Sequence, residues 1–366
     1  MLLAFIAADR KMNHSGAFAV SQLNPLADSN WQDLLSRHPA ASVFHCAGWL
    51  QALQRTYGYE PVVFTTSRPA VALTNGLLCV RIRSRLTGSR IVSLPFSDHC
   101  TPLCQSQEEL ETLLLYLQKE SLCEKRKYIE LRPLISLISC DLEKLGFAST
   151  GKYLLHRVDL EPSEGELFRR LHKNCVQRRI RHAERVGVRE ECGNTEKHLR
   201  DFFGLMVRTR IRHGMPPQPF AWFRNLLECM KDYADLRVAY LNDIPVAAII
   251  SLHFLDKSYF KYGCSDERFH SSGAFPFLLW RVIVKAKSIG SKVLDLGRTD
   301  HDAGGLVTFK NHWTSWSNQL NYWAWAPSLN YNFARARTSR LMKNVFGVLP
   351  RSVIEFAGST IYRHFG

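Results

Sequence analysis

The chain has 366 residues, 46% of them hydrophobic and 11% aromatic, and carries a net charge of +15. That apolar fraction excludes a disordered chain, and the length suits two domains better than one core. No apolar run approaches the roughly 20 residues that span a bilayer.

The elements alternate along the chain. Residues 1–16 read as an N-terminal extension rather than a secretory signal, because the apolar start has no basic segment before it and Asp9, Arg10 and Lys11 follow at once. Helices are predicted over 31–35 and 47–57, then strands over 59–65, 71–82 and 90–94. Apolar residues three and four apart make 108–122 a helix, followed by a strand at 127–131 and a short helix over 139–145 stopped by Gly146. The same order returns in the second half. A strand at 153–160 leads to a helix over 164–186, broken near Lys173 and Asn174. A strand follows from Val188, then helices over 197–213 and 220–232. Asn242-Asp243 joins strands 236–241 and 244–254 as a hairpin. Next come a strand at 258–262, a helix at 276–289, a strand at 292–296 and one more at 320–325. The fold class is therefore α/β (α+β), with two similar units, 1–150 and 151–330, and a basic amphipathic tail, 331–366.

Ten cysteines are scattered, and Cys100 and Cys104, beside His99, have the tightest spacing. Zinc sites usually join two close pairs, so buried free thiols are expected, with no metal. Reduced thiols and no export signal imply the cytoplasm. Between Arg169 and Arg189 eight Lys or Arg face one acid, Glu184, and from Arg335 onward six face only Glu355. Such excess calls for an anionic partner. On the basic helix Arg178 and Arg181 share a face, suited to phosphate. The tail suits an anionic membrane surface at the inner face of the membrane or docking on the second unit, and the sequence leaves both open.

The stretch from Asp295 to Lys310 is the densest in chemistry. A strand runs into a turn through Gly297, Gly304 and Gly305, which delivers Arg298, Asp300, His301, Asp302 and Lys310. A lysine beside apolar walls, here Phe309, suits stabilisation of developing negative charge. His301 is a candidate proton acceptor. Asp295 is expected to cap the turn or pair with Arg298. Trp313, Trp316, Trp323 and Trp325 are expected in a core or cleft wall rather than as a stacking surface for nucleobases.

The strand order from Leu236 to Leu296 resembles the GNAT acyltransferase core, and its doubling resembles the FemABX-like branch of that superfamily. The likeness rests on the stretches Phe44–Leu53, Arg178–Val188, Thr209–Pro216, Tyr262–Ser265, Asp295–Arg298 and Phe309-Lys310. The resemblance implies two tandem GNAT-like domains, each a mixed, mostly antiparallel sheet flanked by helices. It implies acyl or aminoacyl transfer to an amine or hydroxyl of a cell-envelope precursor, such as a polysaccharide or peptidoglycan precursor. By resemblance Lys310, in the Phe309-Lys310 pair, handles charge at the reacting carbonyl or the donor phosphate, Tyr262 lines the cleft, and Arg178 and Arg181 hold phosphates; Arg298 is a further candidate to hold phosphate. Gly273 and Ala274 stand where GNAT enzymes bind coenzyme A, but His270-x-x-Gly273-Ala274 is a degenerate version of that loop. The donor is therefore acyl-CoA or aminoacyl-tRNA, and both stay open. Two other readings compete: a nucleic-acid-binding protein using 169–189, and a membrane-surface scaffold with a decayed transferase site. The oligomeric state is not legible.

Overall fold

A computed structural model describes residues 19–69, 71–134, 141–328, 358 and 360–364. The first half contains β1 (Ser21–Leu23), α1 (Ser29–Arg37), α2 (Ala47–Tyr57), β2 (Glu60–Thr65), β3 (Leu77–Ser84) and β4 (Gly88–Val92). It continues with α3 (Gln107–Cys123), β5 (Ile129–Leu131) and β6 (Ala148–Asp159). Then come α4 (Glu164–Arg170), a π-helical turn (Lys173–Gln177) and α5 (Arg178–Arg185), so the break expected near Lys173 is present. After β7 (Arg189–Cys192) follow α6 (Glu196–Arg212), α7 (Phe220–Cys229), β8 (Ala234–Leu241), β9 (Ile244–Phe254) and β10 (Lys257–Ser265). The chain then forms α8 (Ala274–Ser288), β11 (Val293–Asp300), α9 (Gly304–Asn311) and β12 (Ser317–Trp325).

Two sequence expectations change. Residues 142–146 form turns rather than a helix, and 139–140 lie outside the described residues. The stretch expected as one glycine-rich loop is instead the end of β11 and the helix α9, which carries Lys310. The Asn242-Asp243 hairpin is present, with both residues at positive φ (50° and 62°), as a tight turn between right-twisted strands requires.

All twelve strands form one sheet in the order β1-β2-β3-β4-β5-β12-β6-β11-β10-β9-β8-β7. Every pairing is antiparallel except β4 with β5 and β10 with β11. Each half thus repeats antiparallel strands followed by one parallel pair. β12, last among the described strands, lies between β5 and β6 and is antiparallel to both. On one face α3 covers β2, β3 and β5 through Leu110, Leu113, Leu114 and Leu117. α5 and α8 cover the second half through Ile180, Ala183, Leu278 and Ile283. A further core joins the halves: Trp31, Trp49 and Phe44 pack with Phe202, Trp222 and Phe223. Burying such rings is the main driving force for holding the halves together, at about 25 cal/mol per Å² of apolar surface.

The described end of the tail docks on this body, against both halves. The Tyr362 ring packs on Phe96, its hydroxyl donates to the Pro216 carbonyl at 3.0 Å, and Arg90 donates to the His364 carbonyl at 2.7 Å. The amphipathic stretch Leu341–Val348 lies outside the described residues. Among the described residues no helix is long and apolar enough to cross a membrane.

Candidate active site

β10 and β11 pair only from Lys257/Val293 to Tyr259/Asp295, although both strands run on. Two irregularities let them part. β10 slips register against β9 between Phe260 and Tyr262, at Lys261. β11 slips against β6 between Asp295 and Arg298, where Gly297 takes φ +73°. That left-handed conformation needs glycine. The Asp295 carboxylate accepts the Gly297 N–H at 2.7 Å, so Asp295 caps the bulge as expected. Its other oxygen meets His99 Nε2 at 3.2 Å, and it does not pair with Arg298.

A cavity of about 830 Å³ opens between the parted strands. The first half differs at the equivalent place. Beyond the β4/β5 pair, Arg132 donates to the carbonyls of Leu94 at 2.7 Å and Ser97 at 3.3 Å, so its side chain stitches that gap shut. The cavity is in the second-half gap.

Lys310 is carried into the cavity by α9 and is 3% exposed. Its ammonium donates to the carbonyls of Gly297 at 2.7 Å and Arg298 at 3.3 Å. Burial lowers its pKa to about 8; the cations Lys261 and Arg298 push the same way, and Asp98 and Asp295 oppose them. Phe309 also lines the cavity, and its ring packs on Phe275 and Trp313. Tyr262 also lines the cavity; its hydroxyl accepts the Trp222 indole N–H at 2.9 Å, and burial raises its pKa. Arg298 lines the cavity and stacks over Tyr153 at 4.5 Å and Tyr322 at 5.0 Å.

The remaining sequence candidates fall differently. Arg178 and Arg181 are exposed and do not line the cavity; Arg181 lies over the Phe168 ring at 5.4 Å. Arg179 lines it instead and donates to the His270 carbonyl at 3.2 Å. The reason is helical phase. The π-helical turn inserts an extra residue just before α5, and Ile180 and Ala183 take the core side. His301 is exposed at the end of β11 and does not line the cavity.

Gly273 caps α8 with φ +76°, and a Cβ there would sit 2.3 Å from the Arg179 carbonyl oxygen. Glycine thus lets the start of α8 lie against α5. Ala274 lines the cavity, but its N–H is donated to Ser272 Oγ at 3.3 Å, and Pro276 has no N–H. This helix start offers few free amides to a pyrophosphate. Side chains replace them: Arg179, Arg210 and Arg212 line that end of the cavity with His270.

Asp98 and Lys261 escaped the sequence reading. Asp98 lines the cavity from the first half and accepts a hydrogen bond from Lys261 Nζ at 2.8 Å. Burial works against its charge, but Lys261, with Arg298 and Lys310 behind it, holds the carboxyl below the usual range. The Lys261 ammonium also lies over the rings of Phe44, Trp49 and Tyr262, at 5.1 to 5.6 Å. Of the late tryptophans, Trp313 is buried, Trp323 and Trp325 pack against the α3 core, and Trp316 is exposed beneath Arg157.

Residues 170–310 match the family model of the acetyltransferase (GNAT) domain. The fold is similar to that of FemX, at 15% identity over 82% of this chain and 96% of that one, with a TM-score of 0.65. It is also similar to a tandem GNAT protein from the clavulanic acid biosynthesis pathway, at 9% identity over 85% and 99% of the two chains and a TM-score of 0.53. L-PGS from Bacillus licheniformis shares 11% identity over 88% and 97%, with a TM-score of 0.51. No curated protein matches the sequence. At these identities the structural likeness speaks for the fold, and the GNAT domain match covers the half that holds the cavity. Residues 170–310 thus match a GNAT acetyltransferase domain, and the chain as a whole has a fold similar to that of FemX and of a tandem GNAT protein.

Proposed function

We propose that this chain transfers an acyl or aminoacyl group to an amine or hydroxyl of a phosphate-bearing cell-envelope precursor. The observation that carries this reading is Lys310: a buried ammonium, fixed by two backbone carbonyls, in the cavity between the parted strands. A carbonyl attacked there develops negative charge on oxygen, and a desolvated cation already in place stabilises it without reorganising. Arg298, held by two tyrosine rings, and Arg179 then bind phosphate on either side of the reacting centre. The ion pair with Lys261 lowers the Asp98 pKa and so weakens it as a base; its role is to neutralise Lys261 and orient the cationic floor.

The donor is either acyl-CoA or aminoacyl-tRNA. Two observations favour charged tRNA. The start of α8 is poor in free amides, and Arg178, Arg181 and Arg185 form an exposed basic row just outside the cavity, suited to a polyphosphate longer than the cavity itself. The test is a thermal-shift comparison of coenzyme A, short acyl-CoAs and charged tRNA. A true donor at 100 times its Kd adds about 2.7 kcal/mol of stability. Transfer from that donor to a UDP-linked precursor is then measured with wild type and Lys310→Met. Stabilisation by neither donor class, or undiminished transfer by Lys310→Met, overturns the reading.

A further inference from the structure

Two residues past Lys310, at the end of α9, stands His312, and next to it lies the segment that enters the π-helical turn. His172 donates its backbone N–H to the His312 carbonyl at 3.0 Å, and the two imidazole rings lie 4.5 Å apart between centroids. Cys175 is in the π-helical turn itself. One ligand atom from each of His172, Cys175 and His312 lies within 4.8 Å of the others. Two segments 137 residues apart in sequence thus present two imidazoles and a thiol to one point, fixed by a backbone hydrogen bond.

We infer that His172, Cys175 and His312 form a binding site for a divalent, zinc-like ion. A tetrahedral zinc ion holds nitrogen and sulfur ligands at about 2.0–2.3 Å, which sets them roughly 3.4–3.7 Å apart. The three atoms need close by only about an ångström to reach that spacing. Two nitrogens and one sulfur form a ligand set that suits zinc and not magnesium or calcium, which take oxygen. Three protein ligands leave a fourth position. Cys175 and His312 both line the cavity, so that position opens toward it, available to water or to an oxygen of a bound substrate. None of the three residues is buried, so their convergence is not a by-product of core packing.

Coordination has two local consequences. The Cys175 thiol gives up its proton to solvent as the thiolate bonds to the ion. His172 Nδ1 accepts the Cys175 N–H at 3.1 Å. A neutral imidazole has one unprotonated ring nitrogen, so coordination through either nitrogen exchanges that hydrogen bond at the π-helical turn for a coordinate bond. Lys173, adjacent in the turn, opposes a second cation, and the thiolate charge offsets it.

The expectation from the cysteine spacing was that the chain holds no metal. Cysteine spacing alone does not register two histidines and a cysteine gathered from distant segments.

The test uses the full chain, stripped with a chelator and titrated with Zn²⁺ against a chromogenic competitor. One ion should bind per chain, on the order of 100-fold tighter than to a His172→Ala, His312→Ala double variant. Co²⁺ should give thiolate charge-transfer absorption that Cys175→Ser removes. A second measurement needs no variant: Zn²⁺ should slow alkylation of Cys175 while the exposed Cys123 and Cys192 react as before. Zn²⁺ affinity equal in wild type and double variant, or alkylation of Cys175 unchanged by Zn²⁺, overturns the site. Neither readout depends on transferase activity, so its failure and the failure of the proposed function are distinguishable.

Discussion

Asp98 and Lys261 meet at 2.8 Å in the cavity, one from each half of the sequence. Their side chains are only 18% and 6% exposed. Removing one partner leaves the other charged and buried. Asp98→Asn should therefore cost about 3–5 kcal/mol, read by chemical denaturation. The double variant Asp98→Asn, Lys261→Met should recover much of that loss, because a neutral pair carries no desolvated charge. The Asp98 pKa is depressed in the folded state, so its contribution is present above the ordinary carboxylate range and is lost as pH falls through the folded value. The acid limb of the stability curve should be shallower in the double variant, which has no such contribution to lose as the pH falls.

Lys310→Met should lower kcat by roughly 10²–10³-fold if the ammonium stabilises the oxyanion. With its pKa near 8, the wild-type rate should fall as pH rises through that value, because the charged form is the active one. A rate that rises there instead assigns the neutral amine as a base. Stability moves in the opposite sense. A lysine whose pKa is depressed on folding costs stability below pH 8, and the cost fades between about 8 and the ordinary lysine value.

Arg179→Ala should weaken binding of the anionic substrate by roughly tenfold or more, the value of one charge-assisted hydrogen bond. Arg178→Ala should leave the affinity for a small phosphate ligand unchanged, since that side chain does not line the cavity. Isothermal titration with coenzyme A or a UDP-linked sugar separates the two. Equal losses from both variants place the phosphates on the outer face of α5.

Gly273→Ala forces an L side chain into φ +76° and drives its Cβ to 2.3 Å from the Arg179 carbonyl oxygen. It should cost at least about 1–2 kcal/mol from the backbone conformation alone. Because the clash is with Arg179, anion affinity should fall along with the melting temperature. A loss of stability with full anion affinity separates Gly273 from the phosphate end of the cavity.

The readable parts of the sequence were those with local causes. Apolar spacing marks α3, Asn242-Asp243 marks the hairpin, and the Lys173 region announces a break. The order of strands carries the GNAT likeness. What escaped has non-local causes. α9 starts on two glycines and shows little apolar periodicity, so nothing local separates it from a loop. The phase of Arg179 depends on one extra residue in the turn before it, which a 3.6-residue pattern does not register. Asp98 is 163 residues from Lys261 and lies outside any periodic element, so its placement comes from sheet topology alone.

The position of β12 has a consequence for when the sheet of this protein can close. Tyr322, on β12, donates its hydroxyl to the Asp98 carbonyl at 2.7 Å and lies under the Arg298 guanidinium. Because β12 also joins β5 to β6, ribosomal synthesis must run past residue 325 before the sheet closes and these residues meet. A nascent or truncated chain that stops short of that strand holds every residue that lines the cavity yet lacks the strand that joins the two halves of the sheet.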